Sequence, residues 1–482
     1  MSSFKLFKSF TTVFLITAIL NLVTLKLYSY YLKEEDLSTY TYIQSFILIL
    51  SGFFTKWICQ SIYKFNHRYI NNSYGKEYNG ILLIATCIVT ILAIVVVLTA
   101  TVFLLPLQNY VLETVLITIS FFYIDILNTY LQTNNSVQIY FIGEILRYSL
   151  RAVIPLLIYL QSNNTHYFLL SITGINFLFI ILQVLFQKIN FSFKKIRFQK
   201  VLSLSILKYG LPVTAWFFLA LFLGNVDRIF IANYIDFKDV GNYAVNVLVI
   251  SFLASFLSNP LLTTLHPILL RFNIKNHLEA HEVNKQLNNV TQFYWINIGL
   301  FSLLVVFVSA EFMELIFGAG FKLTDFDYLL IVASSFFWNL GSYGNKPYEL
   351  EGNTRKMIYP ICLSVIAFIL LSLWLTPLLG ISGILLSKFF SNLSYPLILF
   401  YKIKHDDRVK IKWELFNKVT LKGIMAGILL LTIMMGLSHY LGSEMNLVYT
   451  IVCKAVFCII ILCIYYIIFF QKSFQQFRLL FK

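Results

Sequence analysis

The chain has 482 residues, of which 59% are hydrophobic and only 12% are charged, and its mean hydropathy is +0.77. Because a soluble domain carries about 25% charged residues, this composition excludes a chain of soluble domains. The surplus apolar surface must face lipid, and the formal net charge of +15 is then expected in loops at the membrane surface rather than at a nucleic-acid interface.

A window of about 19–20 residues, the length of helix that crosses about 30 Å of hydrocarbon, predicts fourteen transmembrane helices. In chain order they lie at residues 10–32, 40–62, 80–105, 110–131, 139–160, 166–187, 209–233, 241–266, 290–310, 328–345, 357–376, 380–401, 420–440 and 446–470. The sequence therefore predicts an all-α polytopic membrane protein.

Lysine and arginine are distributed unequally between the two alternating sets of loops. With the N-terminus in the cytoplasm, 27 of the 37 fall in cytoplasmic segments and three fall outside, at Lys33, Lys238 and Lys322. The other seven lie within predicted spans. Because cytoplasmic loops carry the excess of positive charge, this distribution predicts that both termini are cytoplasmic.

Two short segments resemble each other at a fixed offset of 203 residues. Residues 31–40 read YLKEEDLSTY and residues 234–243 read YIDFKDVGNY, so that Ser38 aligns with Gly241. Repeated halves are a transporter architecture, and we expect two pseudo-symmetric six-helix bundles followed by two additional helices. The expected parts are an N-terminal bundle at 1–187, a basic cytoplasmic linker at 188–208, a C-terminal bundle at 209–401, and a basic loop with two further transmembrane helices at 402–482.

Ten ionisable residues are predicted within spans, where each costs about 2.5–3.5 kcal/mol unless it faces a cavity or a partner. The cations are Lys26, Lys56, Arg147, Arg151, Arg228, Lys388 and Lys454. The acids are Asp125, Glu144 and Asp227. The excess of cations predicts a hydrated, cationic lumen for an anionic substrate. Alternatively, Glu144 and Arg147 neutralise each other, while Lys26 and Lys56 extend to the membrane surface.

The three acids are candidates for ion coupling or for structural pairing, and Asp125 is the strongest candidate for coupling. It lies near the middle of its predicted span, where desolvation favours the protonated carboxyl group. The alternative, which we consider as well supported, is that Asp125 pairs with Arg147 or Arg151 of the next helix and has a structural role.

Motifs for enzymatic chemistry are missing from the sequence. It contains neither the GxxxxGK[ST] loop that binds nucleotides nor the GxSxG motif of many hydrolases. The six cysteines lie in or near predicted spans, which favours packing over disulfides or metal binding. We therefore expect no catalytic residues, no cofactor and no metal site.

Several stretches resemble one known family. KYGLP at 208–212 and NVDRIFIANYIDFKDVGNY at 225–243 are similar to the signature of the polysaccharide transporter branch of the MOP flippases. FGAGF at 317–321, EGNTRK at 351–356 and TPLLGISGILLS at 376–387 resemble its other recurring stretches. The resemblance is densest from 208 to 400, and the motif match itself covers only Asp227 and Arg228 among the candidate residues.

The resemblance implies a protein of the bacterial cytoplasmic (inner) membrane that flips polyprenyl-diphosphate-linked oligosaccharide units, like the Wzx-type flippases of O-antigen or capsule. It implies alternating access, contact with membrane lipids and cooperation with polysaccharide polymerase machinery. Three alternatives stay open: a multidrug exporter of the related MATE branch, a peptidoglycan-precursor flippase, and a membrane-embedded polymerase or glycosyltransferase. The last would normally need a large outer loop, whereas the longest here, at 310–327, has fewer than 20 residues.

Overall fold

The structure is a computed structural model that describes residues 3–69, 75–133, 137–187, 200–258, 277–351, 353–406, 409–415 and 447–465, together with separate positions between 421 and 436. These residues form helices and connecting turns, with no strand among them. The predicted all-α fold is confirmed. The predicted span at 420–440 lies largely outside the described residues, as do part of the basic linker (188–199) and the end of the predicted span at 241–266.

The chain divides into two compact units, residues 1–242 and 243–482. The boundaries predicted at 187 and 209 stay a prediction. The helices of the first unit are α1 (Ser3–Tyr31), α2 (Glu34–Phe54), α3 (Lys56–Tyr69), α4 (Gly75–Phe103), α5 (Leu105–Gln108), α6 (Val111–Thr133), α7 (Val137–Ser162), α8 (Thr165–Gln187), α9 (Lys200–Asn225) and α10 (Asp227–Tyr234).

Helix α11 (Asp239–Ser255) begins in the first unit and continues into the second. The second unit then contains α12 (His277–Phe293), α13 (Gly299–Phe317), α14 (Asp325–Gly344), α15 (Lys346–Leu350), α16 (Ile358–Leu379), α17 (Ile381–His405) and α18 (Leu447–Tyr465). A π-helical turn at Tyr294–Ile298 joins α12 to α13.

Eight helices in the described part of the chain are long and apolar enough to cross a membrane. Their outer faces are apolar: on α4, for example, Ile91, Val95 and Val102 are each more than half exposed. Such side chains on a long helix are stable only if lipid surrounds them. The protein is therefore a multi-pass membrane protein.

Three predicted spans contain a local irregularity in the α-helix, either at a single residue or as a π-helical turn. The span at 40–62 breaks at Thr55, between α2 and α3, and the span at 209–233 breaks at Val226, between α9 and α10. The third, at 290–310, contains the π-helical turn. Breaks of this kind inside a membrane occur where side chains or a neighbouring helix satisfy the released backbone groups, and the first two breaks lie beside candidate charged residues.

A strap of extended chain, residues 409–415, crosses the second unit. Its odd-numbered side chains (Val409, Ile411, Trp413 and Leu415) are almost fully buried, which is the two-residue alternation of an extended segment. Polar side chains of neighbouring helices hold its backbone: the Asn284 amide bonds the N–H of Lys412 and the carbonyl of Lys410, and Asn288 accepts from the N–H of Glu414.

Candidate functional site

The break between α2 and α3 carries an ion pair that the sequence did not predict. The Lys56 ammonium lies 2.9 Å from both carboxylate oxygens of Asp125 on α6. The Thr55 hydroxyl also donates to the Asp125 carboxylate, at 2.6 Å. Both carboxylate oxygens are thus occupied. The pairing considered above, between Asp125 and Arg147 or Arg151, is wrong, because Lys56 at the start of α3 is the nearer cation.

A second pair, within α7, matches the local alternative read from the sequence. The guanidinium of Arg147 donates to both oxygens of Glu144, at 3.0 and 2.8 Å, and both side chains are 7% exposed. Asn128 on α6 donates to Glu144 at 2.9 Å and accepts from Gln183 on α8 at 3.3 Å. This network neutralises Arg147 and joins three helices.

Arg228 is also neutralised by a neighbouring acid, at the break between α9 and α10. Its Nη1 atom lies 3.0 Å from the carboxylate of Asp227 and 3.1 Å from the carbonyl oxygen of Gly224. Both charged residues are almost fully buried. The pair therefore adds no net charge to the first unit, and it occupies the backbone groups that the break releases.

Arg151, one turn beyond Arg147 on α7, has a different environment. Its guanidinium donates to the Tyr40 hydroxyl at 2.8 Å, and its backbone carbonyl accepts from the Tyr28 hydroxyl. Its Nε atom is buried without a hydrogen-bond partner, and no carboxylate of the described residues lies within ion-pair distance. The residue as a whole is only partly buried. A cation that is partly removed from water without a counter-ion is unfavourable, and Arg151 is in that position among the described residues.

Arg151 lines a small cavity between the helices of the first unit. Its other polar lining residues are Tyr40, Gln44 and Asn176, and its volume is about 20 Å³, which is room for about one water molecule. The Asn176 side-chain oxygen is buried without a partner. The cavity is thus lined by the Arg151 guanidinium and the unpartnered Asn176 oxygen, among side chains that are mostly apolar.

The other three predicted cations are not gathered at this cavity. The Lys26 ammonium on α1 lies 5.4 Å from the Tyr30 ring centroid, and Lys388 is buried on α17 in the second unit. Lys454 on α18 pairs with Glu311 on α13 at 2.7 Å. Four of the seven cations therefore have a carboxylate partner, and the predicted cationic excess is smaller than simple counting suggested.

Sequence reasoning missed Glu311 and the tyrosines around Arg151. Glu311 lay just beyond the predicted end of a span at residue 310, whereas α13 continues to Phe317. Tyr40 belongs to the repeated segment 31–40, so the sequence did draw attention to it. Its contact with Arg151, 111 positions away, depends on the tertiary structure. Tyr28 carried no signal of its own.

In the second unit, one face of α14 carries polar side chains that contact neighbouring helices. The Asn339 amide donates to the hydroxyls of Ser255 and Ser258, at 2.9 and 3.0 Å. Lys346, at the end of that face, pairs with Glu349 within α15. These polar side chains therefore find their partners within the unit, where intramembrane polar side chains commonly join helices.

The fold is similar to that of several solved membrane transporters. The chain is similar over 96% of its length to the solved structure of the lipid II flippase MurJ in an inward-closed conformation, with 98% of that chain covered, a TM-score of 0.70 and 15% identity. It is also similar to an outward-facing multidrug resistance MATE family transporter of the MOP superfamily, with 12% identity and a TM-score of 0.55; the match covers 88% of this chain and 94% of that chain. The chain is similar as well to the Vibrio cholerae MATE transporter VcmN, with 13% identity and a TM-score of 0.56; the match covers 83% of this chain and 98% of that chain.

The chain thus has a fold like that of these solved transporters. Residues 6–273 match the model of the family described as polysaccharide biosynthesis protein, and the chain belongs to that family. No protein of curated function matches the sequence.

Proposed function

We propose that this protein flips polyprenyl-diphosphate-linked oligosaccharide units across the bacterial cytoplasmic membrane by alternating access, as a step in O-antigen or capsule biosynthesis. Membership of the polysaccharide biosynthesis family and the transporter fold support this proposal. The single observation that carries it is Arg151, a guanidinium in a membrane-embedded bundle with no carboxylate partner among the described residues.

In this proposal, the substrate's diphosphate supplies the negative counter-charge that the Arg151 guanidinium lacks. A guanidinium binds phosphate oxygens through charge-assisted hydrogen bonds, and these are stronger where water is excluded. The cavity beside Arg151 holds about 20 Å³, much less than a diphosphate needs. The proposal therefore requires a second conformation in which this cavity widens, as alternating access provides.

Arg151→Gln and Arg151→Lys test the proposed role. The purified variants would be reconstituted in liposomes with a fluorescent polyprenyl-diphosphate oligosaccharide, and flipping measured by quenching from outside. We expect Arg151→Gln to lower the flipping rate by about tenfold or more, since removing a charged hydrogen-bond partner costs about 1.5–3 kcal/mol, and Arg151→Lys to lose less. Arg355→Gln, which removes an exposed arginine, is the matched control. Wild-type flipping by a folded Arg151→Gln protein would contradict the proposal.

The same liposomes distinguish the alternatives. A peptidoglycan-precursor flippase, which the likeness to MurJ favours, would move lipid II faster than the oligosaccharide lipid. A multidrug exporter would expel a cationic dye, and that activity should not need Arg151. A polymerase or glycosyltransferase would change the length of the oligosaccharide. Movement of the oligosaccharide lipid alone, without change in its length, is the result that we expect.

Orientation in the membrane is part of the proposal. We propose that both termini are cytoplasmic and that the turns before α2 and α11 face outward. Single cysteines at Glu35, Asp239 and Lys322 should react with an impermeant maleimide in intact cells, whereas cysteines at Lys195, His281 and Lys410 should react only after lysis. A reversed pattern at any of these six positions would overturn the orientation of the adjacent helices.

A further inference from the structure

Glu311 is a buried acid with one carboxylate oxygen unoccupied. It lies on α13, two turns from the end of that helix at Phe317, and the residue is 9% exposed. Its Oε1 atom is 2.7 Å from the Lys454 ammonium on α18, but its Oε2 atom is buried without a hydrogen-bond partner. Among the described residues, this is the one carboxylate oxygen in that condition.

The other intramembrane acids differ in this respect. Both oxygens of Asp125 accept hydrogen bonds, from Lys56 and Thr55. Both oxygens of Glu144 also accept, from the Arg147 guanidinium and from Asn128. Each of these carboxylates is stabilised in its charged form by several donors. Glu311 has a single donor, so its charged form is the least supported of the three.

The partner of Glu311 does not depend on it alone. The Lys454 ammonium also donates to the carbonyl oxygen of Phe307, at 2.9 Å, and lies 4.8 Å from the centroid of the Phe307 ring. If Glu311 became neutral, Lys454 would keep these two contacts with α13. The ion pair could therefore open without leaving a bare ammonium in the membrane.

The charged groups around Glu311 are predominantly acidic. On α13 itself Glu314 is paired with Lys322 of the following turn at 2.7 Å, and α14 begins with Asp325 and Asp327. The described part of α18 contributes Lys454. Glu314 is 25% exposed and lies one helical turn from Glu311, which brings solvent within one turn of the buried acid.

We propose that Glu311 is a proton-binding site and that its protonation loosens the contact between α18 and α13. A proton from the medium binds Oε2, the carboxylate becomes a neutral acid, and Lys454 remains an ammonium, so the pair changes from zero net charge to +1. Loss of the proton restores the pair. A second cation such as Na⁺ is disfavoured there, because Lys454 already occupies the other oxygen.

Apolar packing transmits the change. Near the pair, Leu304 and Phe307 of α13 form a buried cluster with Cys458 of α18 and with Met434. These contacts are non-directional, so the ion pair and the hydrogen bond from Lys454 to the Phe307 carbonyl together fix the two helices there. Protonation of Glu311 would remove the stronger of these two directional contacts. In combination with the proposed function, this site would link the flipping cycle to a proton gradient; the site itself can be tested without substrate.

Infrared difference spectroscopy on the full-length protein in nanodiscs tests the binding step. As the pH falls, the wild type should gain a carbonyl stretch from protonated Glu311. Glu311→Gln should lack this band, and the matched control Glu314→Gln should keep it. In Lys454→Gln the band should persist to a higher pH than in the wild type, because the cation that stabilises the carboxylate is gone.

Hydrogen exchange on the same samples tests the conformational step. At low pH, after correction for the intrinsic rate, the wild type should exchange faster across 447–465, and Glu311→Gln should show that faster exchange at every pH. A band that persists in Glu311→Gln would overturn the proton site. A band that titrates without any change in exchange would overturn the link to α18. Neither measurement uses substrate, so both remain decisive if the proposed flippase activity is wrong.

Discussion

The backbone N–H of Gly241 donates a 2.9 Å hydrogen bond to the hydroxyl of Ser38, and these residues are separated by the same 203 positions that relate the two similar sequence segments. Glu35 and Lys238, which have the same offset, form an ion pair at 3.1 Å. Contact between equivalent positions is what a local two-fold axis through the two segments produces. It also explains why the equivalent residues differ: a carboxylate meets an ammonium, and a hydroxyl meets a backbone N–H.

Gly241→Leu should destabilise the first unit. A Cβ atom at this position would lie 3.0 Å from the backbone nitrogen and the hydroxyl of Ser38, and backbone cannot move aside as a flexible side chain can. We expect a loss of about 1–3 kcal/mol, measured as a lower Tm in detergent. Gly174→Ala is the control, because a Cβ there meets nothing within 4 Å. Equal Tm values for the two variants would contradict the close contact.

Glu144→Gln should be more harmful than removal of the whole pair with Arg147. The single substitution leaves a buried guanidinium without its counter-ion, which costs about 3–5 kcal/mol, whereas Glu144→Gln with Arg147→Gln leaves no uncompensated charge. Thermal unfolding of the two single variants and the double variant measures the coupling. If the stability lost in the double variant equals the sum of the losses in the two single variants, the interaction between Glu144 and Arg147 does not stabilise the protein.

Asp125→Asn should lower stability, and reversal of the pair should restore part of it. Lys56 contacts both oxygens of Asp125, so we expect Lys56→Asp combined with Asp125→Lys to unfold at a higher temperature than either single variant. The reason is that the attraction survives exchange of the two charges, although the Thr55 contact is lost. A stable Asp125→Asn protein whose transport no longer responds to a pH gradient would instead assign the coupling role to Asp125.

Gly344→Ala should displace the strap at 409–415. A Cβ at Gly344 would lie 2.4 Å from the Trp413 ring, which is not possible without movement. We expect faster trypsin cleavage at Lys410 and Lys412 and a lower Tm. Trp413→Ala alone should cost about 3–5 kcal/mol. Adding Gly344→Ala to it should cost less than in the wild type, because the clash with the ring is gone and only the contact with the end of the Leu399 side chain, at 2.8 Å, is left. Fully additive losses would show that Trp413 does not lie against Gly344.

Much of this protein could be predicted from the sequence because the relevant energies belong to single segments. Transfer of an apolar 20-residue helix into lipid depends on that helix alone, so composition and hydropathy were enough to predict an all-α membrane protein. The similarity of 31–40 to 234–243 was also visible in the sequence, and it identified Ser38 and Gly241 as equivalent residues.

The charge partners were decided only by the tertiary structure. Lys56 and Asp125 are 69 positions apart, and Lys454 and Glu311 are 143 apart; which cation meets which acid depends on how each helix is rotated and which helix lies beside it. A pair three residues apart on one helix, such as Glu144 and Arg147, could be read locally. The rotation of a helix results from many small packing contacts, and for that reason neither the isolation of Arg151 nor the open oxygen of Glu311 could be derived from the sequence.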